Sequence, residues 1–256
     1  MSKSKYLTIF NYLIIFFPFA LVTGPLITDS IVLCASVTIL FFQNFYLNFF
    51  SKFKYFIVYS VIFWLVLILS SFNGSNVLIS LKSSIPFIRF FLFILFLIFL
   101  FSFSDNLLLK IYNFLFYLLI FLSLDALFQY FTNYNFFGIL QNGRLSGMFG
   151  DEWILGSFLS KFYGLFLCLN FLKGNKDNFL LNKKNFIKHL LMFFLIYLTI
   201  MLSNERAAFF TFNLFAILFL LIKRSTRVYA YIIIVIIFVL NMLFYSFNDA
   251  YKQRYI

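Results

Sequence analysis

A chain of 256 residues that is 64% hydrophobic and 25% aromatic, with mean hydropathy +1.00, cannot supply the polar surface that water requires. Its apolar residues come in runs close to the ~20 residues that cross about 30 Å of hydrocarbon as a helix, which leaves the membrane as the solvent that fits. The net charge of +12 could suggest a nucleic-acid partner, but the basic residues collect between apolar runs, as retention of loops in the cytoplasm demands.

The expected fold is all-α: a single transmembrane domain over residues 1–256, a bundle of about nine spans with a cytoplasmic N-terminus. Lys3 and Lys5 precede the first run, Leu7–Val22, which continues through Pro18 without a small-x-small cleavage site and is kept as a span. The second, Ser30–Phe45, is weakened by Gln43 and Asn44. Tyr55–Ser71, Ser84–Phe103 and Asn106–Tyr130 follow, then an outer loop at 131–152. Trp153–Leu172, a cytoplasmic loop at 173–188, His189–Leu202, Ala207–Ile222 and Val228–Phe244 complete the set. Most of the 45 Phe read as lipid-facing, while Cys34 and Cys168, inside apolar runs, read as core residues. His189 reads as an interfacial residue at the cytoplasmic start of its span.

Charge fixes the orientation. Lys3, Lys5, Lys52, Lys54, Lys110, Lys173, Lys176, Lys183, Lys184, Lys188, Lys223, Arg224 and Arg227 fall on the inner side, thirteen of the 20 basic residues. Lys82, Arg89, Arg144, Arg206, Lys252 and Arg254 fall outside, and Lys161 alone sits within a span. Thirteen against six satisfies the positive-inside bias.

Two outer segments carry an arginine beside an acidic residue against that bias. In Gly143-Arg144-Leu145-Ser146-Gly147-Met148-Phe149-Gly150-Asp151-Glu152, glycines permit close backbone approach and Arg144 offers a planar, permanent fork suited to phosphate. Asp151 and Glu152 are expected to open the next helix, where its dipole favours negative charge. An ordinary capped loop accounts for the same spacing. In Ser203-Asn204-Glu205-Arg206, Ser203 or Asn204 can cap the following helix and Glu205 can sit at its positive end. Arg206, a cation at a helix N-terminus, calls for an anionic partner: Glu205, Asp151, Glu152 or a bound phosphate.

Ionisable groups within spans need partners, because an unpaired charge there costs at least a few kcal/mol. Asp125 and Lys161 are expected to bridge, with Gln129 and Ser157 on the rim of the same cavity and Arg89 either snorkelling outward or adding a third cation. Gly156, Ser160 and Gly164, at intervals of four, form a small-residue stripe suited to close helix packing. The sequence holds no Ser-His-Asp set, paired zinc ligands, P-loop or dinucleotide fingerprint, so neither metal nor cofactor is expected.

Phe128-Gln129-Tyr130, then Gly143-Arg144-x-x-Gly147-x-Phe149-Gly150-Asp151-Glu152 and Gly156, then Leu202-Ser203-Asn204-Glu205-Arg206-Ala207, resemble the O-antigen polymerase/ligase family of polysaccharide-assembly membrane proteins. The resemblance implies a metal-independent glycosyltransferase at the outer face of the bacterial inner membrane. Its members move glycans from an undecaprenyl-diphosphate carrier to a growing glycan or to lipid A-core. It implies that Arg144 and Arg206 hold the diphosphate; Arg89, Asp125, Gln129 and Lys161, read from the charged and polar groups within spans, are further candidate substrate contacts, and a chain-length regulator is a candidate partner. Asp151, Glu152 and Glu205 are the candidate general bases. Members usually continue through a large periplasmic loop, often with a functional histidine. Residues 246–256 look like the start of that loop, so a C-terminally truncated member is expected. A lipid-linked oligosaccharide flippase or exporter and a non-catalytic membrane subunit are the competing classes. No convincing pair of internal repeats marks a transporter, and the arginines cluster at the outer edge.

Reporter fusions after residues 145 and 180 are expected to read opposite sides of the membrane; the same side for both overturns the map.

Overall fold

Long runs of Phe, Leu and Ile offer the backbone no polar partner but itself, and the chain satisfies its amides as helices. The computed structural model describes residues 3–41, 52–74, 76–104, 106–141, 143–173 and 183–222, with Val235, Val239 and Met242. Among these the protein is all-helical, its only extended feature an isolated bridge between Tyr134 and Leu140. The helices are α1 (Lys3–Thr23), α2 (Pro25–Phe41), α3 (Lys54–Ser71), α4 (Val77–Ser84), α5 (Ile88–Phe103), α6 (Leu107–Thr132), α7 (Leu155–Lys173), α8 (Lys183–Ser203) and α9 (Arg206–Ile222). Residues 246–256, most of the expected ninth span and residues 174–182 of the cytoplasmic loop lie outside the described residues.

Three stretches are long and apolar enough to cross a membrane: Lys54–Ser71, Val77–Phe103 and Leu107–Thr132. In α3 the buried residues are Ser60 and Ser71, while Tyr55, Val58, Tyr59, Ile62, Leu65, Val66 and Leu69 are exposed. A helix in water shows the opposite pattern. Hydroxyls turned inward with aliphatics outward suit hydrocarbon.

The helices gather into two compact units, Met1–Lys110 and Ile111–Ile256. In the first, Gly24 at φ +118° breaks the chain between α1 and α2, and Pro25 opens α2 at the position where its missing N–H costs nothing. α2 therefore begins five residues earlier than the expected Ser30. α2 lies along α5, with the Ser36 hydroxyl donating to the Arg89 carbonyl at 2.7 Å and Ala35 fully buried. α1 meets α5 through the Phe10–Phe96 and Phe17–Phe93 ring pairs and through Asn11 and Ser104, 3.0 Å apart. The span expected at Ser84–Phe103 starts earlier and has two parts, α4 and α5, joined by a 3-10 turn at Ile85–Phe87. Pro86 cannot donate within that turn. The Trp64 indole donates to the Ser84 and Ile85 carbonyls at 3.1 and 3.2 Å, serving acceptors at the break.

In the second unit α7 and α9 pack most extensively, along the predicted small-residue stripe. A Cβ on Gly156 would lie 2.6 Å from the Ser203 hydroxyl and 3.1 Å from the Ala208 Cβ. Thr211 donates to the Ser160 hydroxyl at 3.0 Å, and a Cβ on Gly164 would lie 2.7 Å from the Phe215 ring. α8 closes the unit with buried rings, Phe193 and Tyr197 against Phe212 and Tyr163. At the far end of α6, the Tyr112 hydroxyl and His189 Nε2 are 3.1 Å apart, with Phe166 stacked on Tyr112. Cys34 and Cys168 are exposed free thiols, not core residues. An apolar run in a membrane faces lipid as well as protein, so its composition does not decide burial.

Gly164→Ala is expected to destabilise by about 1–3 kcal/mol through overpacking against Phe215. This is measurable as a lower Tm of the detergent-solubilised protein, whereas an unchanged Tm would contradict the close contact.

Candidate functional site

α6 carries Asp125 and Gln129 four residues apart, on one stripe of the helix. Both are fully buried, and both turn toward the loop that follows. Asp125 Oδ1 accepts the Phe136 N–H at 2.9 Å. Gln129 Oε1 accepts the Gly147 and Ser146 N–H groups at 2.7 and 3.3 Å, and its Nε2 reaches the Ile139 carbonyl at 3.4 Å. Asn135 completes the set from within the loop: its Oδ1 accepts from Phe137 and Ile139, and its Nδ2 donates to the Gly147 carbonyl at 3.2 Å. Gly147, at φ +56°, lies so close that a Cβ there would be 3.3 Å from Asp125 Oδ2.

This arrangement corrects the expected Asp125–Lys161 bridge. Lys161 is exposed on α7, one position round from the stripe that packs on α9, while Asp125 gives Oδ1 to the loop backbone and keeps Oδ2 buried without a hydrogen bond. Arg89 pairs with Asp29 at 3.0 Å, within the first unit. Arg89 thus neither snorkels unpaired nor stands as a spare cation; it also lies over the Phe90 ring.

Held from below, the loop presents Arg144 half-buried, its guanidinium 5.3 Å from the Trp153 ring centre. Gly143, at φ +78°, lies above the same indole, where a Cβ would sit 3.8 Å from Trp153 Cζ2. Among the described residues Arg144 makes no ion pair.

The helix after the loop begins at Leu155, not at Asp151 or Glu152, which lie in an exposed turn ahead of it. The anion at its N-terminus comes from elsewhere. Glu205 Oε1 accepts the Gly156 N–H at 2.7 Å, and Oε2 accepts the Ser157 N–H at 2.9 Å and the Ser157 hydroxyl at 2.6 Å. Ser157, expected on a cavity rim, is therefore part of this cap. Glu205 also precedes α9, its carbonyl accepting the Phe209 N–H at 3.0 Å. One carboxylate thus lies near the positive ends of two helices. Charge-assisted bonds of this kind contribute about 1.5–3 kcal/mol each. Ser203, a proposed cap of α9, instead donates back to the Ile200 carbonyl at 2.8 Å.

The two arginine motifs therefore converge on the first turn of α7. Arg144 rests on Trp153, two residues ahead of that turn, and Arg206 follows the carboxylate clamped to it, exposed at the head of α9. The sequence reading missed Trp153 and Asn135. An asparagine ahead of two aromatics and a glycine carries a turn signal, but the position of Trp153 under Arg144 left none. Comparison of the chain with protein-family models, curated proteins and solved structures finds no match.

Asp125→Ala leaves the part-buried Phe136 N–H without its acceptor and is expected to destabilise by about 1–3 kcal/mol, with Asp125→Asn milder. Lys161→Ala is expected to leave the Tm near wild type, and equal losses from Asp125→Ala and Lys161→Ala would revive the bridge.

Proposed function

We propose that the chain is a glycosyltransferase of the bacterial inner membrane, similar to O-antigen polymerases and ligases, with about nine spans and a cytoplasmic N-terminus. It takes a glycan from an undecaprenyl-diphosphate carrier at the outer face and passes it to a growing glycan or to lipid A-core, and a chain-length regulator is its natural partner. The observation that carries this reading is Arg144: a half-buried guanidinium on an aromatic ring, without a carboxylate, beside the helix end that Glu205 ties to Arg206. Its depth supports the same reading. Ser146, two residues on, is bound to Gln129, three residues or about 5 Å short of the end of α6, which is the level of a lipid headgroup.

The chemistry asks for what these groups supply. An acceptor hydroxyl attacks the anomeric carbon, the bond from that carbon to the phosphate oxygen breaks, and its electron pair leaves on the diphosphate. The guanidinium groups of Arg144 and Arg206 stabilise the charge that accumulates there. Asp151 and Glu152, exposed in the same loop, are the candidate carboxylates to take the hydroxyl proton. Glu205 is poorly suited to that task, with both oxygens engaged by α7.

In proteoliposomes supplied with an undecaprenyl-diphosphate-linked oligosaccharide, the full chain is expected to release the carrier diphosphate and extend or transfer the glycan. Arg144→Lys keeps the charge and loses the fork, and is expected to lower the rate by about tenfold or more, the worth of one charged hydrogen bond. Full activity of that variant, or no transfer by the wild type, would count against the assignment.

A further inference from the structure

The loop after α6 does not rise away from the helix. The Phe136 N–H meets Asp125, seven residues and so about 10 Å back from the helix end at Thr132. The Phe136 ring stacks on Phe128 at 4.7 Å and faces Phe121 at 6.3 Å, the latter eleven residues or about 16 Å back. α6 is 26 residues long, so about 39 Å against roughly 30 Å of hydrocarbon. Overhang at its ends accounts for only part of those distances.

The face that receives Phe136 is the exposed one. Phe121, Leu124, Phe128 and Phe131 recur at helical spacing and are all exposed, whereas Leu118, Leu122, Asp125 and Gln129 are buried. The loop continues that apolar surface with Tyr134, Phe136, Phe137 and Leu140, each at least 49% exposed. Its backbone satisfaction is a second, independent observation. Every N–H from Asn133 to Ile139 has an acceptor within the protein: Gln129, Thr132, Asp125, Asn135 or a loop carbonyl. Water would serve those amides without help. Hydrocarbon would not, and irregular backbone survives at membrane depth only when such partners are built in.

We propose that residues 133–141 form a shallow re-entrant segment whose aromatic face is in contact with the acyl chains of the outer leaflet. Asp125, Gln129 and Asn135 are its polar lining. The segment fixes the depth of the Arg144 loop that leaves it, and its occupant is bilayer lipid. The proposal holds for any activity of the chain: it rests on α6 crossing the membrane, and its leaflet on the orientation proposed above.

The test is a nitroxide on Phe137→Cys in a Cys34→Ala, Cys168→Ala chain reconstituted in phosphatidylethanolamine–phosphatidylglycerol vesicles. Leu140→Cys gives the same readout should the first variant fail to fold. Dissolved oxygen is expected to relax the label severalfold more than a water-soluble nickel chelate, with the order reversed for Glu152→Cys. Preferential relaxation by nickel at residue 137 would show an aqueous loop, and shielding from both agents would show a protein-covered one; either result overturns the proposal.

Discussion

The carboxylate of Glu205 at the head of α7 is the contact on which the geometry of the second unit depends. It joins two segments 49 residues apart, with three donors on two oxygens. The contact needs Gly156, because a Cβ there would lie 3.0 Å from Oε1 and closer still to Ser203. The glycine stripe is therefore more than a packing device: it lets the α8–α9 corner close enough to cap a neighbouring helix. That closure carries Arg206 to the helix end over which Arg144 is already stacked on Trp153.

A second constraint comes from the solvent. In hydrocarbon an amide without an acceptor costs several kcal/mol, so a non-helical segment must bring its acceptors with it. Asp125 and Gln129 supply them from one stripe of α6, and Asn135 supplies the rest from the loop itself. The same rule explains why Asp125 and Gln129, which read first as lining a substrate cavity, are found bonded to loop backbone.

Much of the fold was legible because hydrophobic length is a one-dimensional signal. α3, α6 and α9 fall within two residues of the expected spans, and the Gly156-Ser160-Gly164 stripe packs as its spacing implied. Where chain direction or partner choice mattered, the signal failed. The Gly24-Pro25 break moved α2, and the helix expected from Ser84 continues back to Val77 through a bend at Pro86. Asp125 and Lys161 have opposite charges at similar depth, but pairing depends on rotation about each helix axis, which depth does not specify. The link from Glu205 to α7 was beyond sequence reasoning, since local rules place its charge on its own helix. Both arginine motifs are visible in the sequence, each a cation beside an acidic residue between apolar runs.

The central claim is that the Glu205 cap holds the Arg144 and Arg206 motifs together, and a distance between those positions tests it most directly. Spin labels on Arg144→Cys and Arg206→Cys, in the chain lacking its native cysteines, are expected to give one narrow distribution by pulsed electron resonance. It should centre within roughly 25 Å, a reach set by three residues of chain and the contacts at either end, and broaden when Glu205→Ala is added. A long or broad distribution, unchanged by Glu205→Ala, would contradict the account.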